Sequence, residues 1–507
     1  MFFDQENTCN THPELYDAGC PSGTGGGSGS SSTTAASMTS TSTVSSSTGT
    51  PEQCALVEGK PVGAECGVFV KQGASGGGTQ MDPLGSIAEA VAATTSEKPR
   101  VYVCGSGSFD GSITLPGGIS LLGGLSCTDW TFSHSNPHPQ VMGSVNQPAL
   151  SITGSGGSVV DSIDLTSPKA TTMGASSVVV HAANATLDIN NAVLVGGDGA
   201  PGSAGVDGGP QANQAPGGNP GKNAADVMLA GGAKSANNTC PDGVSNGGKG
   251  GDGGTIMNGN GAAGDNGDDN LGPTLGGIGD NGGVMWSCAT GVGGGGFGAG
   301  GMDGSTGQGA SMSTFGQLTA GAYANASGGD GGSGKRGQGA GGGGGSKATA
   351  TVHGAGGGSG GAGGCGGTKG TGGGGGGSSI GVLSFHSTIS FSNVSISLGS
   401  GGVGGRGGNG QLGQLGGTGM GGGMGGGGVK PACGGGTGGS GGNGGSGGGG
   451  RGGHAIAVAY AGSPPTEMPT VASPGTAGMG GSGGSNGIDQ ATSGADGSVA
   501  ASMELPE

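Results

Sequence analysis

Side chains able to do chemistry are scarce in this chain, so each can be weighed on its own. Of 507 residues, 9% are charged and seven are histidine. The ten cysteines are Cys9, Cys20, Cys54, Cys66, Cys104, Cys127, Cys240, Cys288, Cys365 and Cys433. None forms a CxxC pair, which argues against a zinc ribbon or a thioredoxin-type site. Their even number and wide spacing suit disulfides made outside the cytoplasm, with pairing in sequence order the simplest arrangement. Ten free, buried thiols are the alternative. His12, His134, His138, His181, His353, His386 and His454 sit in unrelated settings, and His181 and His386 read as structural imidazoles beside strands.

"GGKGGD" (247–252) starts like a nonapeptide calcium repeat, but Gly254 stands where an apolar residue is needed and no second copy follows. The GxGxxG matches open no helix after a strand, and no GxxxxGK[ST] occurs. "GSGKRG" (332–337) reads as a solvated basic spot. Trp130 and Trp286 could stack on a sugar, though Trp130 follows a strand end and is expected to pack over it. "NAT" at Asn184 and "NVS" at Asn393 are sequons placed where a glycan would be awkward. No catalytic residue, metal or cofactor is expected.

The elements that would have to position these residues are unusual. Glycine supplies 143 residues and aromatics 3%. A compact core of this length needs far more apolar volume, leaving a slim repeat fold or extended glycine segments. Collagen is excluded, because the glycine runs are GG-x and GGGG with 23 prolines rather than a strict third-residue repeat. A net charge of −16 with 15 Lys plus Arg provides no phosphate-neutralising surface, so neither nucleic acid nor direct adsorption to an anionic membrane is expected. No apolar run is long enough for a transmembrane helix. The start, "MFFDQENTCNTHPELYDAGC", has no basic or apolar signal region, although the cysteines point to export.

Residues 1–20 read as a cysteine-bearing segment and 21–50 as a Gly/Ser/Thr linker. "TSTST" within the linker occurs once, so it is no threonine ladder. "GTQMDPLGSIAEAVAATTSEKP" (78–99) holds a short helix, with Ile87, Ala90 and Val91 at helical spacing. "RVYVCGSGSFDGSITLPGGISLLGGLSCTDWTF" (100–132) reads as three short strands between glycine bends. These stretches resemble the entry of right-handed parallel β-helix proteins, the pectate-lyase-like fold, in which such a helix caps the first coil. If that fold holds, Cys104 and Cys127 are 23 residues apart, about one coil. Equivalent positions on adjacent coils lie about 4.8 Å apart, within disulfide reach, so this pair should staple coil to coil.

Enzymes of that fold imply their own residues. Its hydrolases carry an adjacent Asp pair, a GHG and an Arg-x-Lys on neighbouring coils. Here the Asp pair is Asp268–Asp269 in a loop, and "GGHA" at His454 lacks the second glycine. Its lyases need several acids around calcium with a catalytic Arg or Lys, whereas the coils offer Asp161, Asp164 and Asp188 with Lys169 nearby. A polysaccharide-cleaving enzyme is therefore the third reading.

An internal repeat organises the rest. "SSVVVHAANATLDINNAVLVGGDG" (176–199) aligns without gaps on "SSIGVLSFHSTISFSNVSISLGSG" (378–401), identical at seven of 24 positions. Shifting "LSITGSGGSVVDSIDLT" (150–166) by 30 residues sets Asp161 over Asn191, giving a bend column of Asp161, Asn191 and Asn393. Asn and Asp tolerate the left-handed backbone of a tight bend and can stack up a coil. A looser copy is 452–478. The glycine tracts then become insertions ejected at one point of the coil. Residues 401–453 hold 33 Gly, and they either pack in a polyglycine II-like sheath or stay disordered. They are similar to the tracts of PGRS-type bacterial surface proteins.

The expected fold is all-β: a right-handed parallel β-helix of few coils with a short N-terminal capping helix and very large glycine-rich loop insertions. Its parts are a β-helix segment 54–199, a glycine insertion 200–377, a coil 378–399, an insertion 400–452, and a last coil with a glycine-rich tail 453–507. The expected function is a non-enzymatic, exported structural or adhesive cell-surface protein, partnered with surface polysaccharide or matrix. A glycan-binding β-helix module is the alternative.

Overall fold

The computed structural model describes residues 54–507 except 225–230, 268–271 and 273. The segment 1–20 with Cys9 and Cys20, the linker 21–50 and the Asp268–Asp269 pair lie outside the described residues.

Apolar alternation builds a parallel β assembly. Its first strands are β1 (Val68–Lys71), β2 (Arg100–Cys104), β3 (Ser108–Asp110), β4 (Ile113–Pro116), β5 (Ser120–Leu125), β6 (Gln140–Met142) and β7 (Leu150–Thr153). There follow β8 (Gly157–Asp161), β9 (Asp164–Ser167), β10 (Ser177–Ala183) and β11 (Thr186–Gly196). Two small hairpins come next, β12 (Thr239–Cys240) with β13 (Gly243–Val244), and β14 (Gln317–Leu318) with β15 (Tyr323–Ala324). The chain then resumes with β16 (Ser379–Phe385), β17 (Thr388–Ser397), β18 (Ala455–Ala461), β19 (Thr470–Ser473) and β20 (Val499–Glu504). The 100–132 stretch thus makes four strands rather than three, because Gly105–Gly107 and Gly111 break it twice before β4.

Two curled sheets result. One runs β20-β18-β16-β10-β7-β4, and the other runs β1-β2-β5-β8-β11-β9-β6-β3 with β17 added beside β11 and β19 beside β17. Every ladder in both is parallel. The chain passes from one sheet to the other and back, so each turn stacks on the last. Val180 pairs with Val382 and Leu187 with Ile389, the register that the gap-free repeat requires.

The core lies between the sheets, with Leu115, Leu121, Ile152, Leu165, Leu187 and Ile396 fully enclosed or nearly so. Helix α1 (Ile87–Ala92) closes one end, burying Ile87 and Ala90, with the Ser86 hydroxyl accepting the Glu89 N–H as its N-cap. Beside it Trp130 packs edge-on against Phe69 at 4.8 Å, and Cys54–Cys66 stitches the same corner. Cys104–Cys127 joins β2 to the end of β5, the neighbouring strand, with Cα atoms 5.0 Å apart. Disulfides are made in oxidising surroundings. Among the described residues no helix is long and apolar enough to cross a membrane.

Candidate functional site

The bend column shows how the coil turns. In β11 Leu187 and Ile189 are buried, and then Ala192 and Leu194, so the alternation slips by one residue. Asn191 makes the slip, with φ +49°, and Asn393 repeats it at +52° between Phe391 and Val394. Asn393 Nδ2 donates to Asn191 Oδ1 at 3.0 Å, and Asn191 Nδ2 donates to Asp161 Oδ1 at 3.1 Å. The backbone corrects the 30-residue shift: Asn190 pairs with Asp161, which puts Ser162 opposite Asn191. Ser162 takes the left-handed φ of +53°, and its hydroxyl donates to the same Asp161 carboxylate at 2.8 Å.

The coil's other acids are bound into the scaffold. Asp164 meets His138 at 3.2 Å and accepts the Val193 N–H, Asp188 accepts from Ser390, and Lys169 pairs with Asp198. They are not brought together. Among the described residues no three His, Cys, Asp or Glu converge as a metal site.

The largest construction is made of glycine. Segments 199–224, 354–377, 401–424 and 431–453 run side by side, joined by a bond at every third residue. Gly402, Gly405, Gly408, Gln411, Gln414 and Gly417 donate to Gly377, Gly374, Thr371, Thr368, Cys365 and Ala362, an antiparallel run at 2.8–2.9 Å. Gly358, Gly361, Gly364 and Gly367 donate to Cys433, Gly436, Gly439 and Gly442, a parallel run. Segments 295–310 and 328–346 extend the array, as do 476–485 and 491–498. A chain with three residues per turn points its peptides in three directions, so each segment can bond neighbours on several sides.

This geometry explains GG-x. In 354–377 a Cβ on Gly360 would collide with Ala340 O, and one on Gly361 with Gly417 O. Every third position leaves room for a side chain, enclosed between segments at Ser359, Ala362 and Cys365 of 354–377 but pointing outward in 401–424. Val403, Arg406, Asn409, Leu412, Leu415 and Thr418 form such an exposed row. Side chains also tie segments together: Asp207 accepts the Asn409 N–H at 2.8 Å and Arg406 Nη1 at 3.1 Å, which hold its carboxyl below the usual range. The described segments of the insertions are therefore ordered by backbone hydrogen bonds rather than by a core.

Two disulfides cross this bundle, and they correct the sequence-order pairing. Cys240 bonds Cys365 and Cys288 bonds Cys433, rather than 240 with 288 and 365 with 433. Out-and-back segments bring distant parts of one insertion (Cys240–Cys365) and of two insertions (Cys288–Cys433) side by side, so neighbours in space are not neighbours in order. Among the described residues no cysteine is free.

Sequence reasoning missed one cluster at the junction of bundle and coil. Arg451 is buried, its Nη1 donating to Met312 O (2.8 Å) and Thr314 O (3.0 Å), its guanidinium 4.5 Å from the Phe315 ring. It thereby holds the β14–β15 hairpin over the outer face of the six-stranded sheet, where Leu318 and Tyr323 pack on Val178, Ile380, Leu383 and Ile456. His454 is fully buried beside it, Nδ1 accepting the Ser498 N–H at 2.9 Å. Burial, with Arg451 adding to it, brings the His454 imidazole down to about 4. In sequence, "GGRGG" at Arg451 looks no different from the exposed Arg406, so no signal could have singled it out.

No protein-family model, curated protein or solved structure matches the chain. Function must be read from these residues alone.

Proposed function

We propose that the chain is an exported, non-enzymatic surface protein with a structural or adhesive role. In this reading the curled sheets are a right-handed parallel β-helix similar to the pectate-lyase-like fold. Strand–crossover–parallel-strand connections are right-handed in nearly all proteins, which supports that hand. The glycine bundle is its working part, akin to a PGRS-type tract but folded into a rod.

The observation carrying the reading is the third-residue ladder across segments far apart in sequence, stapled by Cys240–Cys365 and Cys288–Cys433. It makes an oxidised, protruding body whose outward side chains are set at fixed intervals. Such a body suits presentation of a surface, with polysaccharide or matrix as partner. The test is fractionation of the producing cells with thiol labelling, followed by a glycan-array screen of the purified protein. Recovery at the surface with oxidised cysteines is expected, and purely cytoplasmic recovery with reduced cysteines overturns the proposal.

A further inference from the structure

The bundle ends, away from the coil, in a group of interlinked loops with a composition unlike the rest of the chain. Loop 255–258 is bonded to the 347–353 turn through Met257 N–H to Ala350 O and Asn258 N–H to Thr349 O, at 3.4 and 3.3 Å. Lys347 Nζ reaches Asn281 O of loop 281–292 at 3.4 Å. Trp286 of that loop donates its indole N–H to Ile278 O at 2.8 Å, and Lys430 Nζ lies 5.8 Å from its ring centre. Cys288–Cys433 clamps the same loop to segment 431–453. Lys222 closes the group, its carbonyl accepting from Gly356 at 2.9 Å.

These loops push apolar side chains outward. Val284 is 101% exposed, Met285 91%, Met257 82% and Met424 72%. Val284 and Met285 share loop 281–292, Met257 stands on loop 255–258 and Met424 at the end of segment 401–424, so the apolar side chains are spread over three points of this end. Lys222, Lys347 and Lys430 lie among them. Of the described carboxylates next to these loops in sequence, Asp252 pairs with Lys249 at 3.3 Å, and Asp280 is buried and accepts the Gly282 and Lys347 N–H groups, which leaves three ammonium groups against one enclosed carboxylate. A chain of net charge −16 thus carries a locally cationic, apolar end.

We propose that this end docks on an anionic lipid bilayer, an inference that rests on the surface reading above. Val284, Met285, Met257 and Met424 would enter the interface, the three ammonium groups would meet headgroup phosphates, and the half-buried Trp286 would sit at the boundary, where indoles concentrate. The whole-chain charge argues against adsorption of the protein as a body, and the local distribution answers that objection.

The test is vesicle flotation of the full-length oxidised protein, with phosphatidylcholine vesicles compared to vesicles containing phosphatidylglycerol. Salt-sensitive binding to the anionic vesicles is expected, with a blue shift of Trp286 emission. Trp130 is buried, and Trp286→Phe should remove the shift. A Lys222→Gln, Lys347→Gln, Lys430→Gln variant should bind about a hundredfold more weakly, from about fivefold for each lysine at an anionic surface. Val284→Asp with Met285→Asp should abolish binding, while Leu412→Asp on the bundle flank should leave it unchanged; unaltered denaturation midpoints exclude misfolding. Absence of binding, equal binding by all variants, or a tip variant that changes only the sedimentation mass overturns the inference. Surface recovery without vesicle affinity overturns it alone, whereas cytoplasmic recovery overturns the surface reading whatever the vesicles show.

Discussion

Replacing Gly361 by alanine probes whether the glycine segments are a packed body. Its N–H donates to Gly436 O and its carbonyl accepts from Ala340, both at 3.0 Å, and a Cβ there would overlap Gly417 O. To make room, segments 354–377 and 401–424 must separate, stretching the Gly417–Ala362 bond (2.8 Å) and the Met420–Ser359 bond beside it. A hydrogen bond contributes about 1 kcal/mol net, but a buried peptide group left unpaired costs about 1–3 kcal/mol. With two such groups disturbed, Gly361→Ala should destabilise by about 3–5 kcal/mol. Gly209 is the internal control, because its Cβ would meet nothing within 4 Å and its φ is not in the left-handed range. There alanine only restricts the unfolded chain, stabilising by about 0.4–1 kcal/mol. Guanidinium unfolding with disulfides intact should therefore show opposite signs for two chemically identical substitutions. Equal, small effects at both sites would refute the packed bundle and, with it, the explanation of GG-x.

Asn191→Ala should cost about 2 kcal/mol by thermal unfolding, since alanine pays about 1–2 kcal/mol for the left-handed backbone and drops the bonds to Asp161 and Asn393; Asn191→Gly should recover part of the loss. Replacing Cys104 and Cys127 together by serine releases a 23-residue loop, and unfolding in denaturant should show a loss of about 3 kcal/mol. His454 gives a pH signature. Its ordinary value of 6.5 is held down to about 4 in the fold, so below 6.5 the unfolded chain takes up a proton that the native state refuses until about 4. Stability from this group is therefore complete above 6.5, falls by up to about 3 kcal/mol as pH drops to 4, and is flat below. His454→Gln should lack that slope while keeping the carboxylate contribution, and parallel pH curves for the two proteins would refute the assignment.

What the sequence disclosed depended on whether side chains carried the information. The pairing of 177–183 with 379–385 was legible because the copies align without gaps and their apolar residues share one phase. The bend was legible at Asn191 and Asn393 but slipped at Asp161, because the β7–β8 link is one residue longer than the β10–β11 link, which moves the register from 30 to 29 and leaves Ser162 in the left-handed backbone. Order in the glycine segments was not legible, since backbone hydrogen bonds between segments leave no residue pattern beyond GG-x itself. The interleaved disulfides follow from that arrangement and were hidden with it. Arg451 illustrates the limit: the fold buries this arginine and exposes Arg406, and both are flanked by glycine pairs.

The ladder also constrains how such a protein can change in length over generations. Each insertion runs out and returns, so its two arms are locked to each other and to neighbours by bonds every third residue. Removing one or two residues from an arm would rotate all that follows, turning outward side chains into walls of peptide where none fits. Lengthening is tolerated only in matched steps of three residues on both arms, each step extending the rod by about 9 Å. Homologous chains should therefore differ by paired triplets within the arms, and by arbitrary numbers only in the end loops, where change can accumulate without disturbing the frame.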